Sequence, residues 1–66
     1  MPVVQISFKA GRSEEQKRTI AQGITDLLVS HGSTRERVVI LINDIPAENY
    51  SIAGTTLKDE MAGKKS

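Results

Sequence analysis

The chain has no cysteine, so disulfides and thiolate metal sites are excluded. His31 is the only histidine, which leaves an all-protein zinc site short of nitrogen and sulfur ligands. Long apolar runs are missing too. The longest, Val38 to Ile42, is far too short to cross a bilayer. No charged segment precedes a long apolar stretch, so no signal peptide is expected. Charge of one sign is also lacking: nine Lys plus Arg stand against eight Asp plus Glu. A nucleic-acid protein would want a broad basic face, and none is implied. Lys64-Lys65 reads as a solvated tail. There is no internal repeat and no low-complexity segment. The expectation is a soluble cytoplasmic protein that binds neither nucleic acid nor membrane.

Size sets a further bound. Sixty-six residues make one domain, here residues 1–66, and a chain this short is marginal alone. The usual remedies are disulfides, a metal or oligomerisation. Composition leaves only the last.

Proline is scarce, with two in the chain, and one of them follows the initiator methionine directly. Methionine aminopeptidase normally removes Met1 before so small a residue. Pro2 then carries a free secondary amine on a rigid ring. Within a chain a proline nitrogen has neither N–H nor basicity. At the terminus it has both, and it can act as a general base. Pro2, Val4, Ile6 and Phe8 alternate with Val3, Gln5, Ser7 and Lys9, the pattern of a strand with one well-buried face. A base on the first residue of a strand is held more firmly than one on a frayed end.

Ser13-Glu14-Glu15-Gln16 reads as a capping box, with acidic residues where the helix dipole favours them. The helix should run to about His31, with Ile20, Ile24, Leu27, Leu28 and His31 on one stripe. His31 reads as a packing residue at the helix end. Gly23 costs about 1 kcal/mol relative to Ala inside a helix. Close packing on the sheet or on a neighbouring subunit would explain it. Gly32 is a natural stop.

Arg37 to Asp44 reads as a second strand. It is apolar on both faces, with Val38, Ile40 and Ile42 on one and Val39, Leu41 and Ile45 on the other. Such a strand belongs in a sheet covered on both sides. One helix covers one face only, so the other calls for a second copy. Strand, helix, strand is a β-α-β unit with parallel strands. Pro46 ends the second strand. Ala47 to Asn49 reads as a loop, with Asp44 and Glu48 as solvated charges beside it. Tyr50 to Gly54 reads as a short hairpin arm, Leu57 to Met61 as weakly helical, and residues 62–66 as a frayed tail.

In combination, Pro2, Gly11-Arg12-Ser13-x-Glu15-Gln16-Lys17 and Tyr50-x-Ile52-x-Gly54 resemble the 4-oxalocrotonate tautomerase family over roughly residues 2–61. The resemblance implies an α/β (α+β) fold: a β-α-β protomer whose dimers form a four-stranded sheet with two helices. Three dimers commonly make a homohexamer, although a dimer or trimer stays open for this chain. It further implies cofactor-free keto–enol tautomerisation of 2-hydroxy-dienoates and related 2-oxo acids, as in aromatic catabolism. Pro2 would be the catalytic base. Arg12 matches the arginine that grips a substrate carboxylate, a pairing suited to two parallel hydrogen bonds. Tyr50 matches an aromatic pocket position that is most often Phe, and its hydroxyl adds a donor.

One position departs from the family pattern. Members carry a second arginine in the second strand, and Val39 stands there. Arg37 is two residues earlier, one pleat repeat or about 7 Å away. It either reaches a site or is a solvated strand-end charge. Loss of one electrophilic donor can cost ~10²–10³ in rate, which bears on 4-oxalocrotonate turnover. A free α-amine titrates around 8. Val4, Val39 and Leu41 as an apolar lining, with Arg12 as a nearby cation, would push it down, leaving Pro2 substantially neutral at pH 7.

Two other readings compete with the tautomerase. A hydrolytic dehalogenase or decarboxylase on the same scaffold would use protonated Pro2 as an acid. A non-catalytic oligomeric binding module would keep Met1 and tolerate Pro2→Ala.

Overall fold

A computed structural model describes residues 1–63. Residues 64–66, most of the expected frayed tail, lie outside the described residues. In chain order the elements are β1 (Val3–Lys9), α1 (Glu14–Ser30), β2 (Val39–Ile45), β3 (Ser51–Ile52), β4 (Thr55–Thr56) and α2 (Leu57–Met61), with single 3-10 turns at Arg35–Arg37 and Ala47–Asn49.

The expected β-α-β unit is present. β1 and β2 pair in parallel from Val3 opposite Val39 to Lys9 opposite Ile45. The ladder extends one bond beyond each end. Val39 N–H donates to the Pro2 carbonyl at 3.0 Å, and Ala10 N–H donates to the Ile45 carbonyl at 2.9 Å. In this register Val4, Ile6 and Phe8 share a face with Ile40, Ile42 and Asp44, while Val3, Gln5, Ser7 and Lys9 share the other with Val39, Leu41, Asn43 and Ile45. α1 lies on the first face, where Lys17 pairs with Asp44.

Both ends of α1 are built as expected. The Ser13 hydroxyl accepts from Gln16 N–H at 3.0 Å, and Gln16 Oε1 accepts from Ser13 N–H at 2.9 Å. Each such cap is worth about 1 kcal/mol. At the far end Ser33 N–H reaches the Leu28 carbonyl at 3.0 Å and Gly32 N–H the Val29 carbonyl at 3.1 Å. This is a Schellman stop, with Gly32 at φ +107° supplying the left-handed step.

Several local expectations are corrected. Arg37 is not in a strand. Its N–H bonds the Thr34 carbonyl at 2.9 Å within the 3-10 turn, and the strand starts at Val39. Ala47–Asn49 is a 3-10 turn rather than an irregular loop. Asp44 is a strand residue paired to the helix, not a loop charge. The apolar stripe runs through Ile20, Ala21, Ile24 and Leu28, and His31 and Leu27 fall outside it as exposed residues. His31 acts instead through its backbone as the C-cap. A Cβ on Gly23 would meet nothing within 4 Å, so packing on its own sheet does not explain that glycine. Gly23 and Leu27 are one helical turn apart on a side the chain leaves uncovered.

Beyond β2 the chain forms the expected arm. Ser51 and Ile52 pair antiparallel with Thr56 and Thr55. The two turn residues Ala53 and Gly54 both take positive φ, +55° and +88°. That is the signature of a type I′ turn. Leu57 N–H adds a bond to the Tyr50 carbonyl at 2.6 Å. Thr56 Oγ1 then caps α2 by accepting from Asp59 N–H at 3.2 Å. A left-handed alanine costs about 1–2 kcal/mol. Ala53→Gly relieves that cost and is therefore expected to stabilise the arm, read as slower amide exchange at Leu57.

The feature that governs everything else is what is missing. No described residue is buried, hydrophobic or polar. Val3, Leu27, Leu41, Ile52 and Met61 are exposed at 56%, 59%, 43%, 66% and 60%. The radius of gyration is 15.8 Å, against about 11 Å for a compact chain of this length. One helix on a two-stranded sheet encloses no core. The outer sheet face, the α1 flank and the arm are all left open.

Candidate active site

Both ends of the β1–β2 pair carry candidate residues, and they are different ones. At the first end Pro2 is tied through its carbonyl to Val39, and Arg37 lies two residues before Val39. Pro2 and Val39 are half-buried, whereas Arg37 and Met1 are exposed, Met1 at 79%. Nothing in the fold encloses Met1 against removal. With Met1 attached, Pro2 N is an amide.

At the second end, Lys9 and Ile45 are paired. Arg12 follows Lys9 by three residues, and Tyr50 follows Ile45 by five. The Arg12 guanidinium lies over the Phe8 ring, 4.3 Å from its centroid. This cation–π contact fixes the loop arginine without consuming its hydrogen-bond donors. Sequence reasoning missed it, although Phe8 and Arg12 lie only one strand-loop step apart. Tyr50 is half-buried at the root of the arm.

The two ends do not meet within one chain. A strand rises about 3.3 Å per residue, so the length of β1 puts roughly 23 Å between them. Arg12 therefore cannot act on Pro2 of its own chain. The expected lining of Val4 with Val39 and Leu41 also fails within one copy, because the register places Val4 on the helix side and the other two on the open side.

The remaining cations are mostly occupied. Arg18 pairs with Glu14 and Glu15 at 3.2 and 2.7 Å, and Arg35 with Asp26 at 2.6 Å. Among the described residues, Arg12 and Arg37 have no carboxylate partner. An open hollow of about 280 Å³ is lined by Ile52, Ala53, Thr55, Leu57 and Glu60. It contains no cation and none of the residues above, so it is not by itself a place for an acid substrate.

A family model described as "Tautomerase enzyme" matches residues 2–60. The chain belongs to the tautomerase family. It is 42% identical to a 2-hydroxymuconate tautomerase of Comamonas testosteroni, over 89% of this chain and 95% of that one. It is 35% identical to a 2-hydroxymuconate tautomerase of Pseudomonas putida, again over 89% and 95%. Among solved structures, a 4-oxalocrotonate tautomerase isozyme from Methylibium petroleiphilum superposes with a TM-score of 0.80 at 38% identity, covering 86% of this chain and 94% of that one. A heterohexameric 4-oxalocrotonate tautomerase from Chloroflexus aurantiacus superposes at 0.81 with 22% identity, covering 89% and 97%, and shows the fold alone.

Tautomerases are isomerases, and this tautomerase has the family's small α+β architecture of parallel strands and a hairpin. Among its described residues no helix is long and apolar enough to cross a membrane.

Proposed function

We propose that this tautomerase shifts a proton along conjugated 2-hydroxy-dienoate or 2-oxo acids, with the Pro2 ring nitrogen as general base and no cofactor. The observation that carries this reading is the bond from Val39 N–H to the Pro2 carbonyl. It makes the first ring of the mature chain part of the sheet. Once Met1 is removed, the nitrogen lone pair is held in place by the ring and the ladder together.

The chemistry balances without another reagent. The nitrogen takes the proton of the 2-hydroxyl, the electrons of that O–H bond form the 2-oxo double bond, and the conjugated double bonds shift. The same proton is returned to carbon further along, at C3 or C5. Arg12 grips a substrate carboxylate through its two-pronged guanidinium. The Tyr50 hydroxyl is suited to donate to the oxygen that carries the developing charge.

The separation of Pro2 from Arg12 supports a site made by two copies. A second copy running antiparallel brings its Arg12 end to the first copy's Pro2 end. A two-fold pairing of this kind makes two sites per dimer. The uncovered sheet face and the projecting arm favour further assembly of dimers, as a hexamer. The Chloroflexus protein, which has the same fold, is a heterohexamer.

Mixing inactive variants tests the shared site. Pro2→Ala and Arg12→Ala are each expected to be impaired when alone. Co-refolded in equal amounts, they should recover about a quarter of wild-type sites, since half of the dimers are mixed and each mixed dimer has one intact site. Full impairment of the co-refolded mixture would mean that Arg12 serves its own chain or no site.

A further inference from the structure

We infer that the site takes monocarboxylic 2-oxo acids bearing an apolar or aryl substituent in preference to dicarboxylates, and that Val39 is the residue that sets this preference. The inference rests on the tautomerase reading above and deepens it.

Val39 is the β2 residue bonded to Pro2, so its place beside the reacting nitrogen is fixed by the ladder. Its face of the sheet is apolar at that end. The register partner Val3 and the next residue on the face, Leu41, are hydrocarbon and exposed at 56% and 43%. Along β1 and β2 of the same chain the first cation on this face is Lys9, at the opposite end of the strand.

The charge inventory points the same way. A dicarboxylate needs two cationic partners, because a carboxylate set against hydrocarbon without one is strongly disfavoured. Arg18 and Arg35 are held by Glu14, Glu15 and Asp26. Lys17 is held by Asp44. Of the other cations with no carboxylate partner among the described residues, Lys9 lies 3.9 Å from Met61 Sδ and Lys58 is in α2, and Arg12 offers the two-pronged grip that suits one carboxylate. Arg37 sits in the exposed 3-10 turn rather than in the strand beside Pro2. One carboxylate grip and an apolar wall describe a ligand charged at one end and greasy at the other. Discrimination then comes mainly from the penalty on the second charge.

The test compares kcat/KM for phenylenolpyruvate, with one carboxylate, and 2-hydroxymuconate, with two, at one pH and ionic strength. Wild type is expected to favour phenylenolpyruvate by at least about tenfold. Val39→Arg is expected to move the ratio toward 2-hydroxymuconate by roughly ten- to a hundredfold, the range of a hydrogen-bonded charge pair. Competitive inhibition of wild type by cinnamate and by muconate gives a second reading that needs no folded variant, and cinnamate should bind about tenfold more tightly by the same pairing argument. A wild type that prefers both dicarboxylates, and loses the preference in Arg37→Ala, overturns the inference and assigns the second carboxylate to Arg37. Pro2→Ala separates the two levels. If both substrates turn over unchanged in that variant, the tautomerase reading fails. If both are lost while wild type prefers the dicarboxylate, only the present inference fails.

Discussion

Pro2→Ala is expected to lower kcat/KM on phenylenolpyruvate by roughly 10²–10⁴-fold, the usual contribution of a positioned general base. Alanine at the mature terminus still offers an amine, but no ring stops its rotation about the N–Cα bond, so the lone pair is no longer aimed. Intact mass must accompany the assay. The active wild type should weigh one methionine less than the encoded chain. Equal turnover by the alanine variant, or activity from a protein that keeps Met1, would remove Pro2 from the mechanism. The pH profile adds the direction of proton traffic. A base must be unprotonated, so kcat/KM should fall as pH drops through the Pro2 pKa. In the hydrolytic alternative protonated Pro2 is the working form, and activity would fall as pH rises instead.

Leu41→Glu is expected to break the assembly and, with it, the fold. Leu41 is on the sheet face away from α1, and no described residue of the single chain is buried. Burying one leucine is worth about 1.5–3 kcal/mol. Placing a carboxylate in its position adds a desolvation penalty of several kcal/mol. Small domains have only ~5–15 kcal/mol in total, and the change recurs in every copy. Sedimentation should show monomer, and circular dichroism should show no cooperative melt. Wild type itself should melt at lower temperature on dilution, because association and folding are linked. A Leu41→Glu monomer that melts cooperatively at the wild-type temperature would show that the chain is stable alone.

Local features were legible without coordinates because neighbours in sequence make them. Ser13 and Gln16 are three residues apart and cap each other. Gly32 closes a helix that its own preceding residues built. The β-α-β order followed from one period-two run, one helical stripe and one doubly apolar run. One error came where a residue's partner is distant in sequence, and another was local. Asp44 looked like a loop charge until its pairing with Lys17 was seen. Arg37 looked like a strand residue because the apolar run after it hides the 3-10 turn that holds it.

The candidate site divides in the same way. Pro2 could be singled out from its type and position, and Arg12 and Tyr50 from the motifs in which they resemble the family. Which β2 residue lies beside Pro2 could not. It depends on the register of Val3 against Val39, and register is a property of two strands rather than of either one. Alternation alone could not show that Val4 and Val39 face opposite ways. The sequence thus determined the order of the elements, Pro2 at the head of a strand and the doubly apolar run of the second strand, all of which depend on side-chain chemistry and short-range order. Only the tertiary structure decided that Val39 lies beside Pro2 while Tyr50 follows β2 at the other end of the pair, where Arg12 follows β1. Strand register joins residues far apart in sequence, and neither strand alone specifies it.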